Sequence, residues 1–271
     1  MKEIRSILFP TDFSAVANSA LPLAITLAAR FGATIQALHI TDGGDPHITE
    51  SSRYEFPELP AGTPSQVQLK EAVVQKTLDD PSEIIMREAE GRDCDLIMMA
   101  SHGRSDVAQF FLGRSVAERV ARDSIIPAII VRLYGPRRTT RPIDRFARIV
   151  YATDLAEHTR GILPTAASIA HRTGAQLTAL CVFDEGDEQP ADGGKAILEK
   201  FFADAGAVES SWDCKTVRGG VAEAVLEYAE TNEVDLIATT TALCSGGDPE
   251  LTGTAEFIIR NAPCPVLCVR P

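Results

Sequence analysis

Two stretches of the sequence combine residue types that can hold an anionic ligand. The first, Pro10-Thr11-Asp12, follows the apolar run Ile7-Leu8-Phe9 and puts a hydroxyl and a carboxylate at the end of what reads as a β-strand. The second runs from Ala100-Ser101-His102-Gly103-Arg104-Ser105-Asp106 to Phe110-Phe111-Leu112-Gly113-Arg114-Ser115, where a helical pattern begins. Glycines let backbone amides approach a phosphate closely, and a helix N-terminus adds free N–H groups and a positive dipole end. Gly103, Gly113 and the helix beyond them therefore read as an anion cradle. Thr11 and Asp12 have a second reading, strand termination and helix capping. His102 either meets phosphate or is merely a solvated loop histidine.

These stretches must be held by a larger frame, and an internal repeat supplies it. Ile7-Leu8-Phe9-Pro10-Thr11-Asp12 returns as Ile149-Val150-Tyr151-Ala152-Thr153-Asp154, and Asp95-Leu96-Ile97 returns identically as Asp235-Leu236-Ile237. Pro127-Ala128-Ile129-Ile130-Val131-Arg132 is answered by Pro265-Val266-Leu267-Cys268-Val269-Arg270. Two complete domains are expected, over residues 1–133 and 146–271. The linker between them, 134–145, holds Gly135-Pro136, Pro142 and several arginines, a composition suited to exposed chain.

Each unit alternates short apolar runs with amphipathic helical segments, the pattern of β-α units around a mostly parallel sheet covered on both faces. The fold class is α/β: two tandem doubly wound units, each with a five-stranded, mostly parallel sheet. In the first unit strands are expected near 4–9, 33–40, 68–76, 95–100 and 127–132. A single helix is expected from about Ala15, capped by Ser14, to Gly32, with a counterpart ending at Gly174. Beyond the second strand the units diverge: a helix is expected from about Gly194 to Ala205, whereas 41–64, rich in Gly, Pro and Ser, reads as an irregular excursion. In such sheets ligands bind beyond the carboxyl ends of the strands where neighbouring connections leave in opposite directions, and both stretches reach that edge.

Composition narrows the function. The 271 residues carry a net charge of −12, which disfavours a nucleic-acid coat or a binder of anionic membranes but permits a local anion pocket. The longest apolar stretch, near Ala15 to Ala29, is interrupted by Asn18, Ser19, Pro22 and Thr26 and falls short of the ~20 residues of a membrane span. The opening Met1-Lys2-Glu3-Ile4-Arg5 lacks the order of a signal peptide, so a cytoplasmic address is expected. Six cysteines show neither CxxC nor zinc spacing, and buried reduced thiols are the expectation. The histidines suggest no metal site. Ser245-Gly246-Gly247-Asp248 follows a fourth strand rather than a first, and reads as a flexible turn.

With these features together, the chain resembles the universal stress protein family in its two-domain form, an adenine nucleotide alpha hydrolase-like fold. Nucleotide-binding members of that family carry G-x2-G-x9-G-[S/T] after strand four. The first half reads Ala100-x2-Gly103-x9-Gly113, with Arg114 interposed before Ser115; the second reads Thr240-x2-Leu243-x9-Gly253-Thr254. The resemblance implies that Asp12 faces the adenosine end of an ATP-like ligand, that Pro10 and Thr11 shape its wall, and that Gly103, Gly113 and Ser115 hold ribose and phosphates. Ala100, His102, Arg104 and Arg114 complete the candidate set. Thr153, Asp154, Gly253 and Thr254 would form a degenerate second site, with no ligand expected there.

The implied cofactor is ATP or a related adenine nucleotide, with or without magnesium. No Walker loop, GxSxG, HExxH or paired-carboxylate spacing is present, and no catalytic residue is assigned. Three readings stay open: a non-catalytic stress protein reporting nucleotide occupancy to a regulatory protein partner, a slow adenine-nucleotide hydrolase, and an interaction scaffold with vestigial sites. The apolar final strands would be exposed edges alone, so the two halves are expected to pair through them as an intramolecular pseudo-dimer. A homodimer of the whole chain is an open alternative.

Overall fold

The computed structural model describes residues 2–41, 55–76, 78–101, 115–132, 145–183, 194–206, 212–241 and 253–271. In the first unit β1 (Ser6–Pro10), β2 (Thr34–Thr41), β3 (Gln68–Gln75), β4 (Leu96–Ser101) and β5 (Ala128–Arg132) follow the expected order, with bounds within two residues of those read from sequence. In the second unit they are β6 (Arg148–Thr153), β7 (Gln176–Phe183), β8 (Trp212–Arg218), β9 (Leu236–Thr240) and β10 (Val266–Val269).

All ten strands form one sheet in the order β3-β2-β1-β4-β5-β10-β9-β6-β7-β8. Every neighbouring pair is parallel except β5 with β10, which run antiparallel with Ile130 opposite Val266, Ile129 opposite Leu267 and Ala128 opposite Cys268. The expected pairing of the two final strands is therefore present. Each five-stranded unit turns its apolar edge onto the other, which leaves the half-polar β3 and β8 at the outer rims.

The repeated Asp-Leu-Ile has a local cause. Asp95 accepts the Arg5 and Ser6 N–H groups at 2.7 and 3.2 Å, and Asp235 accepts those of Ala147 and Arg148 at 2.7 and 2.8 Å. Each aspartate thus pins the start of its unit's first strand to the start of the fourth. The Leu-Ile that follows is fully buried in both units.

The single helix expected from Ala15 is two helices, α1 (Ala15–Asn18) and α2 (Leu21–Phe31). Ser14 caps α1 as expected, its Oγ accepting the Ala17 N–H at 3.1 Å. Pro22 breaks the run: it has no N–H to give the Asn18 carbonyl, and its ring crowds that oxygen. It is tolerated in the first turn of α2, where no such bond is due. The second unit repeats the break, a 3-10 helix (Glu157–Ile162) leading into α5 (Leu163–Thr173), with Pro164 in the first turn. Both α2 and α5 end on left-handed glycines, Gly32 at φ 70° and Gly174 at φ 73°, where a Cβ is disfavoured.

Helices α2, α5 and α6 (Lys195–Asp204) cover one face of the sheet. Helices α3 (Pro81–Gly91), α4 (Val116–Asp123), α7 (Val221–Thr231) and α8 (Thr254–Asn261) cover the other. Each apolar layer contains residues of both units. The helix expected at 194–205 is α6; residues 55–67 contain neither helix nor strand. The linker 134–144 and the span 42–54 lie outside the described residues. Of the cysteines, Cys94, Cys181, Cys264 and Cys268 are buried as expected, Cys214 is half-buried, and Cys244 lies outside the described residues.

Candidate functional site

Because α2, which follows β1, covers one face and α4, which follows β4, covers the other, these neighbouring strands send their connections in opposite directions, and a crevice opens beyond their carboxyl ends. The second unit has the same arrangement between β6 and β9. The fold thus brings Pro10-Thr11-Asp12 and Ala100 to one edge. Pro10 and Thr11 are buried, Ala100 is half-buried and Asp12 is exposed. Residues 102–114, with His102, Gly103, Arg104, Gly113 and Arg114, lie outside the described residues, as do Leu243 and Ser245–Asp248.

The Thr-Asp corner is built alike in both units. Thr11 Oγ1 accepts the Phe13 N–H at 3.0 Å and donates to Asn18 Oδ1 at 2.9 Å, while Asp12 Oδ1 accepts the Ser14 N–H at 3.0 Å. In the second unit Thr153 Oγ1 accepts the Leu155 N–H at 2.9 Å, and Asp154 Oδ1 accepts the Ala156 N–H at 2.9 Å. Phe13 and Leu155 consequently sit at φ 66° and 65°, a conformation costly for a side chain with a Cβ unless its surroundings fix it. Phe13 is fixed by His39, 4.3 Å away between ring centroids, and by Phe56, edge-on at 5.1 Å. His39 Nδ1 also lies 3.0 Å from the Thr11 carbonyl, an acceptor, so Nδ1 carries the proton. Leu155 packs against Gly194 so closely that any Cβ there would collide with it. Capping and strand termination therefore account for much of the Thr-Asp repeat, including its presence in the half that lacks the two leading glycines.

The starts of α4 and α8 separate the two halves. Ser115 is the N-cap of α4 at φ −65°, ψ 155°; its Oγ accepts the Glu118 N–H at 3.2 Å, and Glu118 Oε2 accepts the Ser115 N–H at 3.3 Å. This is a reciprocal capping box. In the second half the N-cap is Gly253 at φ −62°, ψ 158°, with no side-chain cap. Gly253-Thr254 does open a helix, but its hydroxyl stands one position too far along to match Ser115. The strand-four position aligned with Ala100 is Thr240, a buried branched residue. The start of α4 thus carries a capping serine hydroxyl, and the start of α8 carries none.

Sequence reading passed over three residues at the join between the halves. Arg260 of α8 reaches across to Glu118, Nε to Oε1 at 2.9 Å and Nη2 to Oε2 at 3.0 Å, and also meets Glu256 at 2.7 Å. Burial acts to raise the Glu118 carboxyl, but the Arg260 guanidinium, the Ser115 N–H and Arg132 outweigh it and hold Glu118 below the usual carboxylate range. Thr241, just past β9, donates toward the Arg122 carbonyl of α4 at 3.1 Å. The spacing of Glu118 and Arg260, each at the same helical position as an equivalent residue in the other half, was the available signal.

A model of the universal stress protein family matches residues 3–132 and again residues 145–270. The chain belongs to that family and carries two of its domains in tandem. Universal stress protein MJ0577 of Methanocaldococcus jannaschii is 27% identical over 154 residues, covering 47% of this chain and 94% of the relative. Among solved structures, a universal stress protein from Archaeoglobus fulgidus aligns at TM-score 0.72 and 23% identity over 98% of both chains. A functionally unknown protein from Pseudomonas aeruginosa aligns at 0.67 and 19% identity, over 99% of this chain and 93% of the other. These structures share the whole tandem fold. Among the described residues no helix is long and apolar enough to cross a membrane.

Proposed function

We propose that the N-terminal unit binds a single adenine nucleotide, ATP or a close relative with or without magnesium, and that the chain acts without turning it over, passing occupancy to a regulatory protein partner. The observation that carries this reading is the unequal pair of helix starts: Ser115 offers a capping hydroxyl at α4, and Gly253 offers none at α8. Family membership and the surviving Gly103 and Gly113 spacing supply the adenine-nucleotide class. In this reading Asp12 faces the adenosine end beside Pro10 and Thr11, Ala100 lines the approach to the ribose, and Gly103, Gly113 and Ser115 hold ribose and phosphates. His102, Arg104 and Arg114, from the same stretch of sequence, are further phosphate partners in this reading.

The non-catalytic part rests on how the polar atoms at the corner are used. Thr11 Oγ1 and Asp12 Oδ1 are engaged in forming the turn itself, whereas phosphoryl transfer needs a metal carboxylate and a group that orients water. Mass spectrometry of nucleotide released from purified, denatured protein and titration calorimetry of the full chain test the reading. One site per chain is expected, weakened about thirtyfold or more by Gly113→Val, if phosphate–amide contacts worth ~2 kcal/mol are lost, and unchanged by Gly253→Val. Two equivalent sites, or a site lost through Gly253→Val alone, would overturn the assignment. Should the wild type give no heat and Ala100→Gly restore it, the Ala100 methyl closes the pocket. Robust magnesium-dependent hydrolysis abolished by Asp12→Ala would establish an enzyme instead.

A further inference from the structure

The charge at the start of α4 is set from the other half of the chain. Glu118 Oε2 lies 3.3 Å from the Ser115 nitrogen, so a carboxylate stands at the helix end where the proposed phosphates would sit. Left unopposed, it repels them. Arg260 opposes it with a two-pronged guanidinium-carboxylate contact at 2.9 and 3.0 Å. The Glu118 and Glu256 side chains are only 17% and 15% exposed, which limits screening by water and salt.

Other charges surround this contact. Arg132 is buried, gives Nη1 to the Ile259 carbonyl at 3.2 Å and adds positive potential at Glu118. Arg122 feels Glu256 but points its guanidinium at Asp123, at 2.8 and 2.6 Å. By the repeat, Glu118 and Glu256 are both third residues of their helices, and Arg122 and Arg260 both seventh. Symmetry would place Arg122 on Glu256 as Arg260 is placed on Glu118. Among the described residues the bridge forms in one direction, and it serves the unit with the serine cap.

We infer that Arg260 is a positioning residue supplied by the second unit to the anion site of the first: it neutralises Glu118, so that phosphate can approach α4 while Glu118 keeps its bond to the Ser115 N–H. This inference rests on the nucleotide reading above. A helix-packing role alone would affect all ligands alike, whereas this role scales with ligand charge.

The test is calorimetry of the full chain with adenosine, AMP, ADP and ATP at low salt. Arg260→Met should weaken ATP about tenfold, ADP and AMP progressively less, and adenosine negligibly. Adding Glu118→Gln to Arg260→Met should recover most of the loss, because the offending charge is gone while an acceptor for the Ser115 N–H remains. Arg260→Lys keeps the charge without the fork and should show the same ordering at smaller size, which covers the case in which the methionine variant fails to fold. Equal losses for adenosine and ATP, or no recovery in the double variant, would overturn the inference and leave nucleotide binding standing. A wild type that binds none of the four ligands would overturn both.

Discussion

Ser115→Ala and Gly253→Ser alter the same helical position in the two halves and measure what the cap is worth. Ser115→Ala removes the Oγ that accepts the Glu118 N–H at 3.2 Å, exposing one of the first-turn donors of α4 while leaving the backbone bond from Ser115 to Glu118 in place. Loss of an N-cap side chain costs about 1 kcal/mol. With an unfolding entropy of roughly 2.1 cal/mol/K per residue, that is a fall of about 2 °C in a chain of this length. Gly253→Ser runs the other way. Its backbone, φ −62° and ψ 158°, already matches that of Ser115, and Glu256 waits at the third helical position, so the new side chain completes the S-x-x-E pattern of a capping box. Relative to glycine the gain is a few tenths of a kcal/mol, or about 1 °C. Differential scanning calorimetry and urea titration read both changes. A Ser115→Ala chain as stable as the wild type, or a Gly253→Ser chain less stable than it, would refute the argument that the two starts differ by a working cap.

The two pinning aspartates should differ in cost: Asp235→Ala leaves the Ala147 and Arg148 N–H groups without their fully buried acceptor and should destabilise by about 3 kcal/mol, whereas Asp95→Ala, at a half-buried site, should cost less in the same urea titration. In thiol labelling of the native protein, Cys214 should react before the other described cysteines. Cys268, fully buried with its thiol pushed up to about 12, should react only on unfolding; early loss of Cys268 would show that the β5/β10 join opens. Glu118 is held below its unfolded value, so its stabilising contribution is present above about pH 4.3 and is lost as pH falls through the lower folded value. Glu118→Gln should therefore flatten the acid limb of a plot of melting temperature against pH, and an unchanged limb would count against the ion pair.

Much of the fold was legible because it rests on local pattern. Away from the rims the strands are mostly apolar runs buried on both faces, and a repeat spelled out twice sets their order more firmly than one unit would. The helix break at Ser19–Ala20 was also local in cause, yet the apolar period from Ala15 to Ala29 runs through it; only the missing N–H of Pro22 marks the interruption. At the candidate site, spacing located the Thr-Asp corner but not its internal hydrogen bonds, which depend on the left-handed turn at Phe13. Counting along the glycine pattern sets Gly253 level with Gly113 and Thr254 level with Arg114. The helix of the second half begins two residues earlier in that register, so Gly253 itself is the cap. The Glu118–Arg260 contact joins residues far apart in sequence, and nothing in either helix alone reveals it. It exists because β5 and β10 pair antiparallel and swing α4 and α8 together.

That antiparallel seam has a consequence for dose and for heredity. Two separate subunits joined at such a seam come apart on dilution, while halves tethered in one polypeptide face each other at a high local concentration at any protein level. In a symmetric pair of identical subunits each substitution appears on both sides at once. Here an arginine can change its partner on one side and leave its twin alone. The tandem chain can therefore keep one pocket as receptor and let the other drift into a brace, a division of labour closed to a dimer of identical copies.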